Sequence, residues 1–364
     1  MLKVIEEISK SISVILDLLN IEPVQKAVFE SFPDFDDQIY VMAMTVSRNQ
    51  IRIVVLSNHA SELPNHWLEM NMNLAIVKKK SLKAFYISKI YKYIFFTHGS
   101  ILFKNTSKKQ KVVNLWHGIP LKKIGAGVGQ KMPSSNFILA TSRKMAYLIE
   151  ETFSPHERLP TVLTFGLPRT DLLKPLAKQN TTMKKLLWMP TYRKSKIGHI
   201  RNDGLINETG IGLSTDTLLC FDKGLSQLGI KVELLMHPMA DGTLPNMFGE
   251  ITLSEFDREK DSLYLYLNEF DGLITDYSSV SVDYLVTQKP LFLFAPDYDE
   301  YASTRGLNCE IESLFGLPMN KSVEELLKSL STPEALSKIL ESSFDRWYEY
   351  KGRNRSNLIW KAIK

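Results

Sequence analysis

The stretch KVVNLWHGIPLKKIG, residues 111–125, decides how the chain folds. Its first part, Val112–Trp116, is a short apolar run that leads directly into His117 and Gly118. A continuous apolar run of this length predicts a strand that is buried on both faces, with a loop at the strand's carboxyl end. The same arrangement returns along the chain, because short apolar runs alternate with amphipathic stretches that predict helices.

Twelve such runs predict strands, and they form two series. The seven in the first half are Lys26–Phe32, Ile51–Leu56, Leu74–Val77, Tyr93–Thr97, Val112–Trp116, Phe137–Ala140 and Thr161–Phe165. The five in the second half are Leu186–Met189, Val232–Met236, Glu250–Leu253, Gly272–Thr275 and Pro290–Ala295. Strands that alternate with helices form parallel sheets covered on both faces. We therefore predict an α/β protein with two Rossmann-like, doubly wound domains.

The polar connection 174–185, which contains Pro175, is the predicted linker between these domains. It places one domain at 1–176 and the other at 177–364. A length of 364 residues suits two domains, and the contents of 44% hydrophobic and 23% charged residues exclude disorder, collagen and coiled coil. Cys220 and Cys309 have no zinc-binding spacing, so we expect two reduced, buried thiols rather than a disulfide or a structural zinc.

Positive charge is concentrated in the first half of the chain. Residues 1–176 carry 23 basic and 14 acidic side chains, a net charge of +9, whereas the remainder carries 22 and 26, a net charge of −4. This asymmetry predicts that the first domain faces an anionic partner. The charge asymmetry alone leaves nucleic acid, a membrane and an acidic substrate open as that partner.

No apolar run approaches the roughly 20 residues that cross a bilayer. Residues 2–19 follow helical spacing, with apolar side chains on one face. Two interpretations of this helix stay open: it packs on its own domain, or it lies in a membrane interface.

Two histidines follow predicted strands and predict acid–base or electrostatic chemistry. His117 stands at the end of its strand with Gly118, which permits close backbone approach, and with the positive charge of Lys122 nearby. His237 follows the run Val232–Met236, and Pro238 restricts its backbone. An ordinary loop histidine is the alternative for each alone. His98 ends its strand in the same way but lacks neighbouring lysines, so we rank it lower.

Anion-binding groups follow several other strands. Ser278 and Ser279 begin a predicted helix, where they either bind an anion or only cap the helix. Asp283, one turn later, either orients a ligand hydroxyl or serves as a first-turn acid. Three arginines lie just past strands and suit phosphate, with a solvated surface position as the alternative: Arg169, Arg193 and Arg305, the last followed by Gly306.

This set of side chains predicts a di- or polyphosphate ligand that protein groups neutralise, without a metal site or another cofactor. The chain has no GxxxxGK[ST] loop, which excludes a P-loop nucleotidase. Its first βα turns lack GxGxxG, which argues against a nicotinamide or flavin enzyme.

Six stretches, in this order, resemble the CDP-glycerol glycerophosphotransferases of teichoic acid and capsule assembly. They are NLWHGIPLKKIG (114–125), GLPRTD (166–171), MPTYR (189–193), MHP (236–238), ITDYSSVSVDYL (274–285) and YASTRG (301–306). The resemblance implies a GT-B-like fold, with two domains facing each other across a cleft and C-terminal helices that return to the first domain. It also implies transfer of glycerol phosphate, or a related polyol phosphate, from CDP-glycerol or another CDP-polyol. The implied acceptor is a hydroxyl of a lipid-linked saccharide or a growing polymer, and CMP is released.

The resemblance implies a role for each histidine. His117 would be the general base for the acceptor hydroxyl, and His237 would stabilise charge on the donor pyrophosphate. Ile119 departs from the small threonine usual after the histidine-glycine pair, so acceptor choice is open. Expected substrate-binding residues are Gly118, Lys122, Arg169, Arg193, Pro238, Asp276, Ser278, Ser279, Asp283, Arg305 and Gly306.

The lack of a bilayer-crossing run predicts a cytoplasmic protein, possibly peripheral, and with the resemblance we expect it on the inner face of the bacterial cell membrane. Given the resemblance, lysines 78–80, 108, 109 and 111 favour anionic lipid headgroups or a phosphate-rich acceptor, and nucleic acid is the least favoured partner. Two other classes stay open. A GT-B glycosyltransferase that uses a nucleotide sugar would share the cleft, and a nucleic-acid or anionic-lipid binder would share the basic first half. Against the second, several basic residues lie at strand ends rather than among aromatic side chains on one surface.

Overall fold

The computed structural model describes most of the chain. The described residues are 2–59, 63–70, 73–98, 101–103, 105–129, 132–153, 160–176, 183–191, 209, 211–236, 248–304 and 306–364. Four expected site residues lie outside these ranges, namely Arg193, His237, Pro238 and Arg305. Residues 177–182 of the predicted linker also lie outside them.

The described strands form two parallel sheets. They are β1 Val24–Glu30, β2 Arg52–Ser57, β3 Leu74–Lys78, β4 Tyr91–Phe96, β5 Lys111–Asn114, β6 Phe137–Leu139, β7 Thr161–Leu163, β8 Lys185–Met189, β9 Lys231–Leu234, β10 Ile251–Leu253, β11 Gly272–Thr275, β12 Leu291–Phe294 and β13 Met319–Asn320. The first sheet has the order β3-β2-β1-β4-β5-β6-β7 and the second the order β10-β9-β8-β11-β12-β13. All twelve predicted strands are present, and within the described ranges only β13 was not predicted.

Helices lie between most of the strands and after the last one. They are α1 Leu2–Leu18, α2 Asp37–Arg48, α3 Asn65–Leu68, α4 Leu82–Ile90, α5 Ala146–Phe153, α6 Thr215–Leu228, α7 Leu263–Tyr266, α8 Val280–Tyr284, α9 Tyr298–Thr304, α10 Ile311–Phe315, α11 Val323–Leu330, α12 Ser337–Trp347 and α13 Arg355–Ile363. The strand order reverses between β1 and β4 in the first sheet and between β8 and β11 in the second. Ligands of doubly wound sheets bind outside the carboxyl ends of strands at such reversals.

Local chemistry fixes the start of α2, which borders the first reversal. The side chain of Asp36 accepts a hydrogen bond from the backbone N–H of Gln38 at 2.7 Å, so it caps the helix. The next residues, Asp37 and Gln38, are buried at the first turn. Two polar side chains therefore enter the interior after this cap, and the amide of Gln38 reaches the backbone that follows β5.

The last helix, α13, packs against the first sheet. Ile359, Trp360 and Ile363 belong to the same hydrophobic cluster as Phe29 of β1 and Phe95 of β4. The backbone N–H of Arg355, at the start of α13, donates to Asp171 at 2.9 Å. The chain therefore returns from the second sheet and completes the core of the first.

Both cysteines are unpaired. Cys220 is exposed and Cys309 is partly exposed, so the prediction that both are buried is wrong. The reason for Cys220 is its place in α6, whose buried side is formed by Leu218, Phe221 and Leu225.

Candidate functional site

The candidate site lies where the carboxyl ends of β4 and β5 meet the segment that follows β11. Gly118, after β5, approaches Ser279, the residue before α8. Arg169, in the 3₁₀ turn Pro168–Leu172, forms a salt bridge with Asp283 of α8. The two sheets therefore bring together five of the predicted residues, counting His117, and we call these five the central site.

A strained turn presents His117. Trp116 has φ +50°, a left-handed conformation that is uncommon for an aromatic residue. The side chain of Asn114 accepts from the N–H of Trp116 at 2.9 Å. The amide Nε2 of Gln38 donates to the carbonyls of Leu115 at 3.1 Å and Trp116 at 3.2 Å. Strain of this kind costs about 1–3 kcal/mol and persists only where the surroundings impose it.

Gly118 is required by close packing across the two sheets. Its φ is +140°, and a Cβ at this position would lie 2.7 Å from Cβ of Ser279 and closer still to its hydroxyl. The same Cβ would lie 3.2 Å from Nη2 of Arg169. Gly118 was expected to allow close backbone approach, and the group that approaches it is Ser279. A contact between Gly118 and substrate stays a prediction.

The ring of His117 lies in an aromatic stack. It is parallel to the ring of His98, with the centroids 4.2 Å apart and 9° between the planes, and its centroid lies 4.0 Å from that of Trp116. Burial lowers the pKa of His117 well below 6.5, and the nearby His98 and Arg169 lower it further. Among the described residues, Nδ1 of His117 has no hydrogen-bond partner. The imidazole is therefore neutral near pH 7 and can accept a proton.

His98 is a second neutral imidazole at this place. Burial of its ring nitrogens, together with the charges of Lys79 and Arg169, lowers its pKa to about 4. Its Nδ1 lies 3.0 Å from the hydroxyl of Thr97. The lysines next to His117 in sequence favour it over His98, but the structure places the two rings in direct contact.

Arg169 and Asp283 are paired with each other in the interior. Nε and Nη2 of Arg169 donate to Oδ2 of Asp283 at 3.0 and 2.6 Å, and Nη2 also donates to the carbonyl of His117 at 3.1 Å. Tyr264 donates its hydroxyl to the same carboxylate oxygen, and its ring centroid lies 4.8 Å from the guanidinium carbon. Burial is the largest influence on the pKa of Arg169 and would lower it. The charges of Asp283, Tyr264 and Asp36, together with the hydrogen bond to Asp283, outweigh burial, so the pKa is raised.

Arg169 and Asp283 are thus committed to protein contacts through the guanidinium group and through Oδ2. Among the described residues, Oδ1 of Asp283 is buried without a hydrogen-bond partner. The predicted phosphate contact of Arg169 and hydroxyl contact of Asp283 stay predictions. The structure adds that Arg169, held by Asp283, donates a hydrogen bond to the carbonyl of His117.

Sequence reasoning missed Gln38, which links the turn before His117 to Arg169. Besides holding the turn at Leu115 and Trp116, it accepts the backbone N–H of Arg169 on Oε1 at 3.0 Å. Its side chain has no solvent exposure. The only available signal was its place just after the helix cap Asp36, and an amphipathic pattern cannot distinguish such a residue from any other polar one.

A second buried pair lies next to this site. Asp37 accepts the backbone N–H of Tyr264 at 3.1 Å, and its carboxylate lies 3.9 Å from Nε2 of His66. Burial, followed by repulsion from Asp36, raises the pKa of Asp37 to about 6. Burial lowers the pKa of His66 to about 4. Burial therefore opposes the loss of a proton from Asp37 and the gain of a proton by His66, so it favours the neutral form of both side chains.

The remaining described candidates lie around the central site. Asp276 holds the end of β8, because its carboxylate accepts from the N–H of Thr191 at 2.8 Å and from its hydroxyl at 2.6 Å. Nζ of Lys122 lies 3.4 Å from the same hydroxyl. The carbonyl of Gly306 accepts from the N–H of Lys123 at 3.1 Å. These contacts join the segment after β5 to the second sheet.

Ser278 precedes Ser279 at the start of α8. Its carbonyl accepts from the N–H of Ser281 at 3.1 Å and from its hydroxyl at 2.7 Å. Ser278 and Ser279 are partly exposed, and no side-chain bond caps the helix. An anion contact for these serines stays a prediction.

Comparison with known proteins identifies the family. A sequence model of the CDP-Glycerol:Poly(glycerophosphate) glycerophosphotransferase family matches residues 19–364. The chain belongs to this family. The resemblance carried by the strand-end motifs is thereby confirmed.

Two curated relatives of this family member are teichoic acid primases. The teichoic acid ribitol-phosphate primase of Bacillus spizizenii strain W23 is 28% identical over 264 residues, which cover 65% of this chain and 64% of that protein. The teichoic acid glycerol-phosphate primase of Bacillus subtilis strain 168 is 25% identical over 285 residues, which cover 71% and 69%. The chain thus matches slightly less than two thirds of the first relative's length.

Solved structures show the fold. The wall teichoic acid polymerase TagF matches 98% of this glycerophosphotransferase family member and 93% of its own chain, with a TM-score of 0.74 and 19% identity. The calicheamicin glycosyltransferase CalG4 matches with a TM-score of 0.50 and 9% identity. The expected GT-B-like α/β fold is confirmed.

Proposed function

We propose that the chain transfers glycerol phosphate, or a related polyol phosphate, from CDP-glycerol to an acceptor hydroxyl and releases CMP. The acceptor is a lipid-linked saccharide or a growing teichoic-acid or capsule polymer. The observation that carries this proposal is the neutral imidazole of His117 after β5, where Arg169 binds the backbone carbonyl of His117 and the next residue, Gly118, packs on Ser279. Family membership supports the reaction class. The proposed acceptor domain is 1–176 and the proposed donor domain is 177–364, with α13 returning to the first.

In the proposed reaction the acceptor oxygen attacks the β-phosphorus of the donor. The bond from that phosphorus to the oxygen shared with the α-phosphate breaks, and CMP leaves with the electron pair. His117 accepts the proton of the attacking hydroxyl, a contribution of about 10²–10⁴ in rate. His237, Ser278, Ser279 and Arg305 stabilise the phosphate charge in this proposal, which is where such transfers gain most of their rate.

The contacts of the central site support the role of His117 as the base in this reaction. Gln38 and the pair Arg169–Asp283 fix the backbone on both sides of His117, so the imidazole is positioned before substrate binds. A base with a low pKa is unprotonated over the working range of pH. The acid limb of kcat is therefore expected well below pH 6.5.

The test is CMP release from CDP-glycerol and CDP-ribitol with a defined lipid-linked acceptor. His117→Ala is expected to lower kcat by at least about 100-fold. His59→Ala removes an exposed histidine and serves as the matched control, with wild-type rates expected. A wild-type rate in His117→Ala would contradict the role of His117. Turnover of a nucleotide sugar, without CMP from either CDP-polyol, would replace the proposed reaction by glycosyl transfer.

We also propose that the protein works on the inner face of the bacterial cell membrane, against anionic lipid. Among the described residues, no helix is both long enough and apolar enough to cross a bilayer. In α1 the serines Ser9 and Ser13 are buried, whereas Ile15 and Leu18 are 52% and 78% exposed. Leu82, at the start of the neighbouring α4, is 89% exposed. Apolar side chains turned outward in this way suit a membrane interface.

Part of the predicted basic surface is already paired. Lys79 forms a salt bridge with Asp34, and Lys109 forms one with Glu22. Lys78, Lys80 and Lys108 are the exposed members of the predicted set. Sedimentation with phosphatidylglycerol and phosphatidylcholine vesicles tests the proposal.

Wild-type protein is expected to bind the anionic vesicles. The double variant Ile15→Glu/Leu18→Glu is expected to abolish this binding. Leu253→Glu is the control, because Leu253 is 50% exposed on β10, far along the second sheet. Equal binding by the double variant and wild type would contradict the role of α1.

A further inference from the structure

Four aromatic side chains form a continuous row beside the central site. The ring centroid of Phe32 lies 5.6 Å from that of His98, with the rings edge to face. The ring of His98 is stacked on that of His117, which in turn contacts Trp116. Phe32 is 66% exposed at the outer end of the row. The row runs from solvent to the proposed base, and we call Phe32 and His98 the aromatic platform.

The loop that carries Phe32 is tightly held. The backbone N–H of Phe32 donates to the hydroxyl of Thr97 at 3.2 Å, the same hydroxyl that lies beside Nδ1 of His98. Nζ of Lys79 donates to the carbonyl of Ser31 at 2.6 Å and forms a salt bridge with Asp34. Exposure of Phe32 does not stabilise the fold. Because its loop is already rigid, a ligand that binds the ring orders little additional structure.

The position of the platform indicates which substrate it meets. Phe32 and His98 follow β1 and β4, on either side of the strand-order reversal of the first sheet. The predicted phosphate-binding serines lie on the second sheet's side, after β11. A group that rests on the platform therefore approaches His117 from the acceptor's side rather than from the donor's.

Resting on the proposed function, we propose that the aromatic platform binds a pyranose ring of a saccharide acceptor. The C–H face of a pyranose is apolar and flat, so it stacks on an aromatic ring, while its hydroxyls point outward to polar partners. Polar groups border Phe32, because Asp34 accepts from the hydroxyl of Ser57 and the N–H of Asn58, both at 2.7 Å. A sugar seated on Phe32 lies at the solvent end of the row that leads through His98 to His117.

A polyol-phosphate chain fits this surface less well. It has no ring to stack, and it needs cations along its length. Lys79, which neighbours the platform, is already neutralised by Asp34, and His98 is uncharged near pH 7 because its pKa is about 4. The platform therefore selects a saccharide end over a phosphate-rich chain end.

The kinetic test compares two acceptors, a disaccharide on a lipid pyrophosphate and an oligomer of glycerol phosphate. Phe32→Ala is expected to raise KM for the saccharide acceptor about tenfold, which is the loss of one stacking contact. Phe32→Tyr is expected to retain wild-type KM, and KM for CDP-glycerol is expected to be unchanged. Leu253→Ala, which removes an exposed apolar side chain from β10, is the control. An unchanged saccharide KM in Phe32→Ala, or a raised donor KM, would overturn the proposal.

A binding test separates this proposal from the proposed function. Saturation-transfer NMR with cellobiose as the probe needs no donor and no turnover. Irradiation of aromatic protons is expected to reach the sugar C–H protons in wild-type protein and in Phe32→Tyr, and about tenfold less in Phe32→Ala. Absence of transfer in wild type would overturn the platform even if CMP release is normal. Transfer that depends on Phe32 would support it even in a protein that uses no CDP-polyol.

Discussion

The salt bridge between Arg169 and Asp283 gives the sharpest prediction, because both side chains are buried. Their exposed fractions are 8% and 0%. Two charges about 4 Å apart interact by about 4 kcal/mol at an effective dielectric constant of about 20. Removing one partner of a buried pair leaves the other charge uncompensated and costs about 3–5 kcal/mol. Arg169→Met and Asp283→Leu are each expected to lower the free energy of unfolding by about 3–5 kcal/mol.

The double variant should lose much less than the sum of the two. Apolar side chains in place of both charges remove the interaction and the desolvation penalty together, so we expect a coupling energy of at least about 3 kcal/mol. Urea titrations followed by tryptophan fluorescence measure the four free energies of unfolding.

The exposed pair Lys321–Asp299, with side chains 41% and 80% exposed, is the control for this cycle. Its Lys321→Met and Asp299→Asn variants are expected to lose less than about 1 kcal/mol. Additive losses at Arg169 and Asp283, or losses below about 1 kcal/mol in each single variant, would refute the reasoning.

Three further predictions concern neighbouring residues. Gly118→Ala drives a methyl group into the facing serine and should abolish CMP release, whereas Gly129→Ala, at φ +68° with open space around it, should cost only about 1–2 kcal/mol of stability; equal effects would contradict the packing argument. Gln38→Leu should lower kcat with little change in donor KM, since it frees the turn before the histidine, and a wild-type kcat would show that the turn holds itself. The raised pKa of Asp37 stabilises the fold below pH 3.8, its ordinary pKa, and that stabilisation is lost as pH rises through about 6. The lowered pKa of His66 stabilises the fold above pH 6.5, and that stabilisation is lost as pH falls toward about 4. Unfolding free energy should therefore rise between pH 4 and 6 in Asp37→Asn and fall in His66→Gln, by at most about 1.4 kcal/mol per pH unit; slopes of the same sign would rule this out.

The sheets were predictable from sequence because their strands are buried on both faces. Such strands appear as continuous apolar runs, whereas β13, which was not predicted, has two residues and so no pattern to detect. The meeting of His117, Gly118 and Asp283 was also predictable in outline. The carboxyl ends of parallel strands lie at one edge of a sheet, so residues distant in sequence converge there.

The contacts inside the site could not be predicted in the same way. Gln38 acts on Trp116 and Arg169, which lie 78 and 131 residues away along the chain. Its polar side chain in a helix gives no local sign of that role. The partner of Arg169 depended on how the two sheets face each other, and the rank of His98 depended on a ring contact that charge spacing does not report.

The return of α13 to the first sheet has a consequence for how the protein is made. A ribosome releases the amino-terminal part of a chain first, and domains generally fold in that order. Here the core around β1 and β4 receives Ile359, Trp360 and Ile363 only when synthesis reaches the far end of the sequence. The nascent first half therefore waits with an unfilled apolar surface while the second sheet forms. The half that carries His117 should be the last to reach its native state, so an enzyme interrupted during translation would stay inactive.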